Sequence, residues 1–222
     1  MNVTLLGTQD TTTGANEGYS GWRAYTFTKC PSNVEDWATW GGTPAYRIEN
    51  PFWNSTTETF DFTLYMNNQG YNHVDYVFIC LGTNDIARGN HQSDEEIISY
   101  WNTMINSIKT FDNNIKIGLW LPPGRAVTDY ADINSLSSAL RMNKLILDTW
   151  NNKKSDNIYL VPINLNIDPY HDYNFTEVPF NTRDASAGTL TKYTDAVHCN
   201  SNGYKHIADV FYAFIKYLAT LE

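Results

Sequence analysis

A chain of 222 residues with 42% hydrophobic and 14% aromatic content carries enough apolar surface for a sizeable core, which excludes disorder as its resting state. Its net charge of −9 excludes a nucleic-acid surface, because phosphate binding needs clustered Lys and Arg. No run of about 18 apolar residues occurs, so no membrane span is expected.

The opening residues, Met1-Asn2-Val3-Thr4-Leu5-Leu6, lack the basic segment and long apolar core of a signal peptide. Residues 3–6 are apolar and β-branched and predict a first strand. The loop Glu17-Gly18-Tyr19-Ser20-Gly21-Trp22 follows; by composition alone it is a turn. Residues 14–54 are rich in Gly, Trp and Tyr, with one short helix expected near 34–40. Residues 74–81 predict a second strand, ending on Leu81-Gly82-Thr83-Asn84-Asp85. Ser93-Asp94-Glu95-Glu96 then forms a capping box, in which the serine caps a helix and Glu96 reaches back. Ile97, Tyr100, Trp101, Met104, Ile105 and Ile108 follow at helical spacing.

Residues 115–121 and 158–163 predict two further buried strands. Between them a helix is expected over residues 133–150, with Leu136, Leu140 and Leu147 on one face. Residues 164–194 read as a long connection carrying aromatics and Pro, and loops of that length usually serve function. A last helix is expected over residues 202–218, turning Ile207, Phe211, Phe214 and Leu218 inward. Strands alternating with helices imply an α/β chain, with a mostly parallel sheet covered on both faces in a single domain over residues 1–222.

Two segments sit where chemistry could. Gly82-Thr83-Asn84-Asp85 closes a strand, and ligand sites of parallel sheets gather at that end. Glycine there permits close backbone approach, and the Asn84 amide can donate to a developing oxyanion; an ordinary Gly-Asn turn fits the same residues. In Asp195-Ala196-Val197-His198 a carboxylate three residues before a histidine can bond one ring nitrogen and leave the other facing a nucleophile. A surface pair would read the same way. The remaining histidines (His73, His91, His171 and His206) share no ligand spacing, and Cys30, Cys80 and Cys199 make neither a zinc motif nor a disulfide framework, so no metal or cofactor is implied. Tyr170, Tyr173, Phe175 and Phe180 either wall a cleft or pack their own loop. Arg183 can meet an anionic or sugar substrate, or a neighbouring carboxylate.

Together and in this order, these segments resemble the SGNH hydrolase superfamily of GDSL-like serine esterases and acylhydrolases. Gly82-Thr83-Asn84-Asp85 is similar to its Gly-x-Asn-Asp block. Asp195 and His198, with Gly203-Tyr204 after them, are similar to its last block, and Glu17 to Trp22 to the segment supplying its glycine. Asn50-Pro51-Phe52-Trp53, followed by Phe60-Asp61-Phe62, looks like one bacterial branch.

The resemblance implies a three-layer αβα sandwich with a parallel, flavodoxin-like sheet, and ester hydrolysis through an acyl-enzyme. His198 would be the general base and Asp195 its orienting partner; the Asn84 amide and the Gly21 N–H would donate to the oxyanion. The family's serine lies in a Gly-Asp-Ser block ending its first strand, some tens of residues before the Gly21 loop. No Gly-Asp-Ser occurs in the 222 residues, so that strand and its serine are expected ahead of Met1, or on another chain. Ser20 is a poor substitute, since Trp22 stands where the Gly-x-Ser-x-Gly elbow has its last glycine. Cys199, where the family commonly has Pro, reads as a passive thiol.

The expected substrate is a small ester such as an acetylated carbohydrate, because the chain is rich in Trp and Tyr and has no long apolar lid. The alternative is a catalytically inactive glycan-binding or structural module of a cell or phage surface. The compartment stays open. Geometry should bring Asn84, Gly21 and His198 to one cleft. With the serine strand elsewhere, residues 3–6 should pair directly with 77–80, or another segment should fill the slot between them, because buried strand edges need partners.

Overall fold

The computed structural model describes residues 3–9, 15–19, 21–32, 49–86, 92–124 and 133–221. The helix expected near 34–40, Ser20 and His91 lie outside them. The elements run in chain order from α1 (Ala24–Lys29) through a short antiparallel ribbon, β1 (Trp53–Asn54) and β2 (Thr59–Phe60), to α2 (Phe62–Gln69). Next come β3 (Tyr76–Ile79), α3 (Asp94–Phe111), β4 (Lys116–Trp120), α4 (Ile133–Trp150) and β5 (Ile158–Val161). An antiparallel hairpin of β6 (Tyr173–Asn181) and β7 (Asp184–Cys199) precedes α5 (Ser201–Leu218).

The central sheet is parallel in the order β3-β4-β5, with Val77 beside Ile117 and Leu119 beside Leu160. Alternation along the strands sends side chains to two helical layers. Phe78 and Tyr159 face α5, where Phe211 and Phe214 meet them at ring-centroid distances of 5.0 and 6.2 Å. Gly118 makes room for that contact: a Cβ there would lie 2.5 Å from the Phe78 ring. Ile79, Ile117 and Leu119 instead join a core with α3 and α4. This is the α/β sandwich that the alternation of elements implied. No helix among the described residues is long and apolar enough to cross a membrane.

Helix α3 forms as its local signals dictate. The Ser93 hydroxyl accepts from the Glu96 N–H at 3.2 Å, and the Glu96 carboxylate accepts from the Ser93 N–H at 2.8 Å. Asp94, Glu95 and Glu96 place negative charge at the positive end of the helix dipole. Its buried face is Ile97, Tyr100, Trp101, Met104, Ile105 and Ile108, the residues picked out by spacing.

Three expectations need correction. In α4 the buried stripe is Ala139, Met142, Asn143, Ile146 and Trp150, whereas Leu140 and Leu147 are exposed. The rotation is set by Trp150 stacking on Trp101 at 5.4 Å and by Met142 packing over Gly82. Residues 3–6 form no strand, and Val3 and Leu5 are 52% and 56% exposed. Consequently β3 pairs with β4 alone among the described residues and is an edge of the sheet, neither joined to residues 3–6 nor filled by another strand. That edge is not a sealed gap. Val77 and Phe78 are half-buried, so water can reach it.

The third correction is the connection at 164–194, much of which is the β6/β7 hairpin. Its strands are exposed on both faces, so no apolar alternation marks them in the sequence. Its tip turns between Asn181 and Asp184, where Asn181 Oδ1 accepts from the Arg183 N–H at 3.0 Å.

Candidate active site

The chain leaving β3 is held by a buried carboxylate. Asp85, 1% exposed, accepts through Oδ2 from the Gly82 N–H at 3.0 Å and through Oδ1 from the Ala24 N–H at 2.9 Å. Beside it, Asn84 Nδ2 donates to the Trp22 carbonyl at 3.1 Å. Two adjacent residues of one loop thus grip residues 22 and 24 of another. Gly21 has φ +79°, a left-handed conformation that favours glycine, and nothing lies within 4 Å of where its Cβ would be. Burial pushes the Asp85 carboxyl up from 3.8 to about 6, even though both N–H donors pull it down. The fold therefore disfavours the ionised form. Asp85 costs stability at neutral pH, and that cost is recovered as pH falls through about 6 toward 3.8.

The Gly21 loop is braced from its other side by Glu17. One carboxylate oxygen accepts from the Thr8 N–H at 2.6 Å and the Tyr65 hydroxyl at 2.7 Å. The other accepts from the Tyr19 hydroxyl at 2.6 Å and the Thr8 hydroxyl at 3.0 Å. Burial, then the Glu17 carboxylate, pushes the Tyr19 phenol up to about 12 and Tyr65 in the same direction. Trp22, 2% exposed, stacks on Tyr19 at 4.4 Å and meets the edge of Phe27 at 4.8 Å. Sequence reasoning gave Glu17 and Asp85 no role of their own. Their partners stand 48 and 61 residues away, and no local pattern reports them.

Asp195 and His198 lie at the base of the hairpin. The ladder pairs Asn174 with Asp195 and Tyr173 with Cys199, so residues 196–198 bulge out of β7. Asp195 Oδ1 accepts from the Val197 and His198 N–H groups, both at 2.9 Å, while Oδ2 lies 2.8 Å from His198 Nδ1. The His198 N–H above all, helped by the Val197 N–H and the ring, holds the Asp195 carboxyl below the usual carboxylate range. With Nδ1 on Asp195, Nε2 is turned away from the carboxylate, on a ring 68% exposed. Asp168 and His171 repeat the spacing, with Oδ2 2.5 Å from Nδ1, and Asp172 pairs with His206 at 2.8 Å. Spacing alone does not single out His198.

Hydrogen bonds tie these parts along the carboxyl edge of the sheet. Trp120 Nε1 donates to the Leu81 carbonyl at 2.5 Å, joining the end of β4 to the Asn84 loop. The Tyr173 hydroxyl donates to the Gly124 carbonyl, joining the chain after β4 to the hairpin base. Asn200 caps α5 by accepting from the Asn202 and Gly203 N–H groups, and its amide donates to the His171 and Tyr173 carbonyls at 2.8 and 3.0 Å. The network thus runs from Asn84 and the Gly21 loop to the two residues after His198.

A family model of GDSL-like lipases and acylhydrolases matches residues 1–211 of the chain. The chain belongs to this family. Its GDSL-like fold is similar to that of a carbohydrate esterase family 3 protein from Talaromyces cellulolyticus, with TM-score 0.53 and 15% identity over 98% of this chain and 81% of that one. An acetyl esterase variant solved with an acetate ion has TM-score 0.49 and 18% identity, over 94% and 73% of the two chains. No curated protein matches the sequence.

Other residues of this GDSL-like chain divide by burial. Tyr173 is fully buried against Cys199, whereas Tyr170, Phe175 and Phe180 are exposed. Arg183 is exposed at the hairpin tip. Burial pushes the Cys199 thiol up, away from a reactive thiolate. His73 pairs with exposed Asp75. Among the described residues no three His, Cys, Asp or Glu side chains gather as a metal site would require.

Proposed function

We propose that this chain supplies the oxyanion donors and the base of an esterase that removes a small acyl group, acetyl in the first instance, from a carbohydrate. The observation that supports the reading best is the doubly fixed junction of Asn84 with Trp22 and Asp85 with Ala24, beside which stands the hydrogen-bonded Asp195–His198 pair. The serine comes from a Gly-Asp-Ser segment outside these 222 residues, on a further parallel strand beside the three of the central sheet. That serine attacks the ester carbonyl while His198 Nε2 takes its proton. Asp195 holds the ring and stabilises the imidazolium. The oxyanion is met by the Asn84 amide and the Gly21 N–H; His198 gives its proton to the departing alcohol, which leaves an acyl-serine, and then takes a proton from the water that releases the acid.

A serine-protease site stripped of a triad member retains roughly 10³–10⁴-fold acceleration over water, against 10⁶ or far more for an intact enzyme. The 222-residue chain alone should therefore turn over p-nitrophenyl acetate at close to the background rate and take no fluorophosphonate label. Fusing a Gly-Asp-Ser strand ahead of it should restore both. Stoichiometric labelling of the unfused chain at Ser20 would overturn the assignment. Glycan binding without turnover in the fused protein would favour the inactive module instead.

Asn84→Ala tests the oxyanion role. In the fused protein kcat should fall on the order of 10²–10³-fold, as when one oxyanion donor is removed elsewhere. A fall in affinity with kcat intact would show that Asn84 serves binding alone.

A further inference from the structure

Asp85 is a buried carboxylate that the chemistry above does not consume, in a loop that the chemistry needs. Its bond to the Ala24 N–H and the adjacent Asn84 bond close a ring: Asp85 to Ala24, through Arg23 to the Trp22 carbonyl, then to Asn84 and back along the chain. One attachment between two loops would act as a hinge, whereas two on neighbouring residues fix orientation as well as distance. The bond to the Gly82 N–H holds the loop's own turn closed at the same time. Glycine suits position 82, since its φ of +111° and the approach of Met142 to within 3.0 Å of where a Cβ would stand both disfavour a side chain.

We propose that Asp85 is a positioning residue, whose carboxylate sets the separation and angle of the two oxyanion donors, the Asn84 amide and the Gly21 N–H. The proposal rests on the esterase reading for those donors' role, but not for the clamp itself. Only a carboxylate suits the place. Ionised, it accepts from both N–H groups at once; protonation weakens one of those acceptors, and an amide turns its NH2 toward one N–H and loses that bond. Position matters more than strength here, because a shift of about 1 Å in a donor can remove on the order of 10²-fold in rate. Among the described residues, the charged and titratable groups coupled to Asp85 are Arg23, beside α1, which favours its ionised form, and Tyr100, on α3. The fold bears the cost of an ionised group there, as expected where geometry is set for function.

The test has two arms. In the 222-residue chain, followed by amide NMR against pH, the Ala24 and Gly82 N–H signals should move together with one midpoint near pH 6. Neither should move in Asp85→Asn. In the fused protein, Asp85→Asn should lower kcat on the order of 10²-fold with little change in KM, and should remove the acid limb that Asp85 contributes to the kcat profile. Independent or absent titration of the two amides overturns the clamp, and so does an unchanged kcat. Should Asp85→Asn fail to fold, the titration of the unsubstituted chain still decides. If no fused protein turns over any ester, the esterase reading fails, and shared titration of the two amides still supports the clamp.

Discussion

Replacing His198 by alanine in the serine-fused protein should lower kcat on the order of 10⁴–10⁶-fold, the range seen when the base of a serine triad is removed. In the proposed reaction the ring accepts the serine proton, carries the transient charge beside Asp195, passes the proton to the departing alcohol and later activates water. Asp195 is already fixed by the Val197 and His198 N–H groups at 2.9 Å, so the carboxylate stays in place when the ring is gone. The loss should therefore fall on kcat, with KM little changed. His171→Ala is the matched control, since Asp168–His171 repeats the spacing and the geometry. Steady-state kinetics on p-nitrophenyl acetate with both variants decides. Loss of activity in His171→Ala with retention in His198→Ala would move the base to the other pair.

Trp101→Ala should cost about 3–5 kcal/mol of stability, the range for deleting a fully buried aromatic. Trp101 is 0% exposed, stacks on Trp150 at 5.4 Å with planes 28° apart, and joins α3 to α4. The cavity would open where the two helices meet, and the Ile97, Met104 and Ile105 backbones on the same helix cannot close it. Against a net domain stability of about 5–15 kcal/mol the loss is large, and urea unfolding should show a midpoint shifted to much lower denaturant. Trp101→Phe should cost less. It keeps an aromatic face for Trp150 and removes an indole N–H that meets no acceptor among the described residues. A loss below about 1 kcal/mol for Trp101→Ala would mean that α3 and α4 repack freely, against the close packing expected of interiors.

The features legible in the chain are those whose causes sit within a dozen residues. The Ser93–Glu96 box and the spacing from Ile97 to Ile108 specify α3 and its buried face, since capping and helical period are local physics. Continuous apolar runs mark β3, β4 and β5, which are covered from both sides. The Asp195–His198 pairing is equally local, because a carboxylate three residues back reaches both the ring and its own backbone.

Contacts between distant segments were not legible. Which face of α4 is buried depends on Trp150 finding Trp101, and the leucines at 140 and 147 offered an equally periodic but outward stripe. Residues 3–6 look like a strand but have no partner strand among the described residues, and apolar composition does not supply one. The hairpin went unseen for the opposite reason: with both faces exposed, its strands show no alternation to read. Glu17 and Asp85 look like ordinary loop acids until folding brings Tyr65 and the α1 N-terminus to them across 48 and 61 residues. The chemistry expected of the chain came from the resemblance of a few short blocks to the family. How the Asn84 and Gly21 loops are held follows from long-range hydrogen bonds, whose partners become neighbours only when the sheet and its helices have assembled.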